Sequence, residues 1–214
     1  MKVNSNAVGV GKVWIGIAVA ALLWFVMFSP LTAPRLNFWY AMSVSAVVLI
    51  AISTILRREW LADFRPTPLR IAAGIAIAAV LWGIFWLGDV LSQWLFSFAG
   101  AQVDNIYAMK SDARPLTIAL LLLLLIGPAE EIFWRGFVQN SLMRRWGANA
   151  GFLVTTAVYA LVHVWSGNFM LVMAALVVGF CWGIIYRFRP DSLTALIISH
   201  AVWDACAFVI FPFH

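Results

Sequence analysis

The chain has 214 residues, 64% of them hydrophobic and only 11% charged, with a formal net charge of +5. A soluble domain carries about 25% charged residues, so this composition excludes a water-soluble globule and points to a membrane. The basic residues stand in short clusters between apolar runs, which argues against nucleic acid as the partner. The chain also lacks a G-x-x-x-x-G-K-[ST] loop, zinc-ribbon spacing and an H-E-x-x-H motif.

Only helices and closed barrels satisfy the backbone inside hydrocarbon, and a helix needs about 20 residues to cross it. The apolar segments here are long and continuous, without period-two alternation, so they read as helices and not as barrel strands. In chain order they are Val13–Pro30, Asn37–Leu56, Arg70–Gly88, Leu116–Met143, Asn149–Trp165, Phe169–Tyr186 and Ser192–Phe213. The first is too long for a signal peptide, and Phe28-Ser29-Pro30 makes a poor cleavage site, so it is expected to be retained. The apolar stretch Val90–Ala101 either extends the third span past Asp89, lies in the interface, or forms an eighth crossing. The expected fold is therefore an all-α integral membrane bundle of seven helices, with an eighth as the alternative. It reads as a single transmembrane domain over residues 1–214.

The basic residues orient the spans. Alternate sides hold Lys2, Lys12, Arg57, Arg58, Arg65, Arg70, Arg144, Arg145, Arg187 and Arg189 against Arg35, Lys110 and Arg114. Under the positive-inside rule the N-terminus is expected in the cytoplasm and the C-terminus outside. An extra crossing at Val90–Ala101 would weaken this asymmetry, which favours seven. Cys181 and Cys206 lie in apolar segments without C-x-x-C spacing and read as buried thiols. Gly179 and Gly183 form a G-x-x-x-G, a signal for close helix packing. Asp89 reads as interfacial.

Ionisable groups inside spans are costly and point to function. The fourth span contains Gly127-Pro128-Ala129-Glu130-Glu131, followed by Arg135. The fifth holds Tyr159 and His163, and the seventh His200 and Asp204; the remaining histidine is His214. Measured from the cytoplasmic helix ends, Glu130, His163 and Asp204 lie at about 20–22 Å and His200 at about 14 Å. Polar side chains on three helices thus fall at similar depth. Glu131 and Arg135 are four apart and share a face, as an ion pair would require, whereas Glu130 points about 100° away. Pro128 beside Gly127 removes a backbone donor, which is expected to kink the helix and admit water next to Glu130. His200 and Asp204 also share a face.

The ordered set Glu130-Glu131-x-x-x-Arg135, Tyr159-x-x-x-His163 and His200-x-x-x-Asp204 resembles the CPBP family of intramembrane proteases. That family includes the CAAX-processing prenyl endopeptidases and bacterial relatives. The resemblance covers Leu116 to Phe213; the first three spans carry no signature. It implies an intramembrane endopeptidase in which Glu130 is the general base, His163 helps to hold and polarise the water, and His200 with Asp204 stabilises the oxyanion. Glu131, Arg135 and Tyr159 would support them. The family has been described both as glutamate proteases and as metalloproteases. The alternative is zinc held by Glu130, His163 and His200, a known catalytic ligand set, with the metal-free version favoured.

Two positions depart from the family's familiar pattern. Position 159 is Tyr where Phe is common, and position 204 is Asp where the eukaryotic CAAX proteases have Asn. An Asn amide donates to an oxyanion, whereas Asp donates only when protonated and otherwise orients His200. The resemblance implies a membrane-associated or lipidated substrate: a prenylated CAAX tail, a bacteriocin or other peptide precursor, or a sorting tail. A bacterial cytoplasmic membrane is expected. Competing readings are a proton-coupled transporter and a non-catalytic immunity or accessory protein; the chain has no inverted repeat to support the former.

Overall fold

Caps and prolines set where the helices begin. The computed structural model describes residues 8–213, so Lys2 and His214 lie outside the described residues. The described helices are α1 (Val10–Phe28), α2 (Phe38–Leu56), α3 (Pro68–Leu95), α4 (Ala99–Ala108), α5 (Pro115–Trp146), α6 (Ala148–Ser166), α7 (Phe169–Phe188) and α8 (Pro190–Ile210). All but α4 are long and apolar enough to cross a membrane, and the described residues contain no strand. Asn37, Thr67 and Asn168 cap α2, α3 and α7 by accepting the backbone N–H of Tyr40, Arg70 and Leu171. Pro68, Pro115 and Pro190 occupy first turns, where a missing N–H costs nothing. Gly147 at φ 88° and Gly167 at φ 61° make the turns on either side of α6 in a backbone region that favours glycine. The apolar stretch after Asp89 extends α3 to Leu95. The separate α4, of 10 residues, spans only about 15 Å, so the described residues hold seven helices able to cross a membrane.

Contacts between loops agree with this alternation. At the end rich in arginine, Arg70 pairs with Asp191 at 3.4 Å, and the backbone N–H of Arg65 donates to Thr194. Arg187 binds Asn149 at the same end. At the opposite end Trp39 donates to the Met109 carbonyl, Tyr107 to the Ala207 carbonyl and Asn168 to the Gln102 carbonyl. Isolated hydroxyls within the spans bond back along their own helix, as Ser45, Ser53 and Thr155 do to the carbonyls four residues earlier.

The helix α5 is the core of the bundle, with every residue from Ala129 to Leu142 buried. It is not a regular helix. It widens into π turns at Leu122–Ile126 and Ile132–Gln139, leaving one α turn, Gly127–Glu131, between them. The first wide turn lies just before Pro128, whose ring would crowd the carbonyl of Leu124 in a tight helix. The expected disturbance at Gly127-Pro128 is thus present as a π turn. The second frees the Gly136 carbonyl, which accepts from Arg57 Nη1 at 2.6 Å.

Two close approaches lock α5 in place. A Cβ on Gly127 would come within 2.7 Å of the Ala201 Cα and 2.8 Å of its nitrogen, so α5 and α8 touch backbone to backbone beside His200. On α7 the two glycines of the G-x-x-x-G pack against Tyr159 and Phe152 of α6. The same glycines offer their carbonyls to α5: Arg135 donates to Gly179 at 3.2 Å and Gln139 to Gly183 at 2.7 Å. Donors four apart on one helix meet acceptors four apart on the other. A Gly127→Ala substitution should therefore push α5 from α8 and lower stability by about 1–3 kcal/mol, as measured by thermal unfolding in detergent.

Candidate active site

The α turn of α5 presents two adjacent carboxylates to different partners. Glu131 is fully buried, and its Oε1 accepts from Arg135 Nη1 at 2.6 Å and from His200 Nδ1 at 2.8 Å. The ion pair expected from the i,i+4 spacing is present, and the same oxygen also holds a histidine of α8. Arg135 is further enclosed by the rings of Tyr159 and Trp182, with centroids 5.1 and 5.4 Å from its guanidinium carbon. Glu130 turns the other way, and its Oε2 accepts from the Tyr159 hydroxyl at 3.0 Å.

His200 was paired with Asp204 by sequence spacing, yet its shorter contact is with Glu131. Its Nε2 lies 3.4 Å from Asp204 Oδ2, against 2.8 Å for Nδ1 to Glu131. The physical reason is the Gly127–Ala201 contact, which brings α8 close enough for the ring to reach across. Trp182 stacks on that ring at 4.0 Å and 21°, and anchors itself by donating to Ser199. Both imidazole nitrogens therefore face carboxylate oxygens, while an indole covers one face of the ring.

His163 is held differently. One nitrogen lies 2.8 Å from the Tyr159 carbonyl and the other 3.0 Å from the Trp24 indole nitrogen. A carbonyl only accepts and an indole N–H only donates, so Nδ1 carries the proton and Nε2 is the acceptor. Tyr159 thereby links the two motifs, with its hydroxyl on Glu130 and its carbonyl on His163. Trp24 lies on the first span, where the sequence shows no signature; among 12 tryptophans nothing in the sequence singles it out. The same holds for Trp182.

Glu130, Tyr159, His163, His200 and Asp204 all line one cavity of about 520 Å³. The other walls are mostly apolar and come from both halves of the chain: Phe28 and Trp39, Phe85 and Phe96, Met170 and Val178, Trp203 and Phe208. Tyr107 in the last turn of α4 and Met109 just after it close the end away from the arginine clusters. Lys110 sits there over the Tyr107 ring at 4.3 Å, and burial lowers its ammonium pKa below the ordinary value. Asp89 lines this cavity rather than only marking a span end.

Zinc would need Glu130, His163 and His200 to converge with free lone pairs. Among the described residues no group of three His, Cys, Asp or Glu side chains forms a metal-ligand set. The acceptor nitrogen of His163 is turned to Trp24, and both nitrogens of His200 face carboxylates. The three residues as placed do not fit the ion.

Residues 112–206 match the family of type II CAAX prenyl endopeptidases, Rce1-like. The match covers all three motifs and bears out the resemblance read from them. No curated protein and no solved structure matches the chain.

The shared oxygen of Glu131 makes a direct prediction. Glu131→Ala leaves Arg135 buried without its carboxylate and His200 without its closest partner, and should destabilise the fold by about 3–5 kcal/mol. Thermal unfolding in detergent is the measurement, and the loss should exceed that of Glu131→Gln, which keeps an acceptor oxygen.

Proposed function

We propose that this membrane protein is an endopeptidase that cuts a peptide bond near the C-terminus or membrane-proximal region of a membrane-associated substrate. The end rich in arginine is read as cytoplasmic, in a bacterial cytoplasmic membrane. The observation that carries the proposal is the placement of Glu130: a carboxylate in an apolar cavity, spared from the Glu131–Arg135 pair and facing two histidine-bearing helices.

Glu130 takes a proton from a water as its oxygen attacks the substrate carbonyl carbon, and the carbonyl electrons move onto the oxygen. His200, its Nδ1 held by Glu131, turns its Nε2–H from Asp204 to that oxyanion. The tetrahedral intermediate collapses with cleavage of the C–N bond. The proton on Glu130 passes to the leaving nitrogen, giving an acid and an amine. His163 stands in the same wall, and its Nε2 can hold the water once it exchanges the Trp24 N–H for a water O–H. The apolar lining excludes bulk solvent and suits a lipidated or apolar segment.

Glu130→Gln tests the base. It should lower cleavage of a peptide substrate by at least about 10²–10⁴-fold while the protein still inserts and melts as the wild type does. Substantial residual cleavage would remove Glu130 from this role.

The reaction is read as glutamate-type because both nitrogens of His200 face carboxylates, and Glu130 with His163 alone does not complete a zinc ligand set. Purified active protein should hold far less than one zinc per chain and keep its activity after chelation. One zinc per chain by elemental analysis, with activity lost on its removal, would replace this mechanism by the zinc version.

A further inference from the structure

Resting on the protease reading, we infer that the Tyr159 hydroxyl is itself a catalytic group, the neutral donor that binds the oxyanion alongside His200. Two side chains of opposite hydrogen-bonding character line this one cavity: the Asp204 carboxylate on α8, which accepts, and the Tyr159 phenol on α6, which can donate.

The contacts agree with that division of roles. Asp204 Oδ2 faces a ring nitrogen of His200 at 3.4 Å, the position of an acceptor that steadies the ring. Tyr159 is buried except where it meets the cavity, and its O–H points at Glu130 Oε2 at 3.0 Å. The indole donors of Trp24 and Trp182 are already engaged, with His163 and Ser199.

The chemistry then moves the hydrogen bond. Before attack, negative charge sits on Glu130 and the phenol donates to it. When the water proton reaches Glu130, that carboxyl becomes neutral and a poorer acceptor, while the substrate oxygen becomes an anion and a better one. The phenol follows the charge from Glu130 to the oxyanion, keeping its own proton throughout. On collapse of the intermediate it returns. A donor already in the cavity and already aligned on the charge needs little reorganisation, which is the condition for effective oxyanion stabilisation.

The experiment uses the full-length protein in detergent with internally quenched peptides, some bearing an S-farnesyl or S-acyl cysteine and some unmodified and apolar. On any peptide the wild type cleaves and Glu130→Gln does not, Tyr159→Phe should lower kcat about 10²–10³-fold and leave KM within about threefold. The double variant Tyr159→Phe with Asp204→Asn removes the phenol donor and places an amide donor in the same cavity, and should recover at least about tenfold over Tyr159→Phe alone. A Tyr159→Phe protein near wild-type rate overturns the inference while leaving the protease reading intact. So does a loss that Asp204→Asn fails to rescue, because a hydroxyl that merely positioned Glu130 could not be replaced by an amide on another helix. A wild type that cleaves no peptide overturns both.

Discussion

A single carboxylate oxygen organises the interior of this protein. Glu131 Oε1 accepts from Arg135 on its own helix and from His200 on α8, with all three side chains almost wholly buried. Three ionisable groups in an apolar bundle are costly to desolvate, and such an arrangement persists only when each has its partner. Arg135 is additionally tied to the Gly179 carbonyl and sandwiched by Tyr159 and Trp182, so the same charge joins α5, α6, α7 and α8. Moving any one of these helices by an ångström or two would leave a buried group unpaired. The cluster is therefore better understood as a device that fixes register than as a source of net stability.

Backbone irregularity makes this geometry possible. A regular helix through Pro128 would collide with its own carbonyls; the π turn at Leu122–Ile126 removes the collision and leaves Glu130 and Glu131 on an intact α turn. Glycines supply the other tolerance. Gly127 lets α8 reach the Glu131 carboxylate, and Gly179 and Gly183 let α6 seat against α7 while their carbonyls remain open to Arg135 and Gln139. In a membrane, where apolar surface gives no preference between lipid and helix, close approach and interhelical hydrogen bonds are the main specific forces.

The frame separates two neighbouring carboxylates. Glu131 is spent on structure, with no oxygen turned to the cavity contacts described above, whereas Glu130 has a phenol as its neighbour and an apolar chamber in front of it. The first span enters the site as well, through the Trp24 contact that assigns the tautomer of His163. The motif-bearing half of the chain is thus incomplete as a chamber: α1, α2 and α3 supply Phe28, Trp39 and Phe85 to its walls.

The sequence by itself determined that the chain is a membrane bundle, because charge-poor runs of about 20 residues have no other stable place. It also marked Glu130, Glu131, Arg135, His163, His200 and Asp204 as ionisable groups within the spans, and the structure sets Glu130, His163, His200 and Asp204 around one cavity with the Glu131–Arg135 pair behind them. Helical spacing predicted the Glu131–Arg135 pair, since an i,i+4 relation is local. What it could not determine were relations between helices. The Glu131–His200 contact depends on how closely α5 and α8 approach, the tie from Trp24 to His163 joins residues 139 positions apart, and the stacking of Trp182 on His200 depends on how α7 is rotated. Spacing along a chain fixes the face of a helix but neither its rotation in the bundle nor its neighbour; those were decided by the glycine contacts and buried hydrogen bonds that only the tertiary structure assembles.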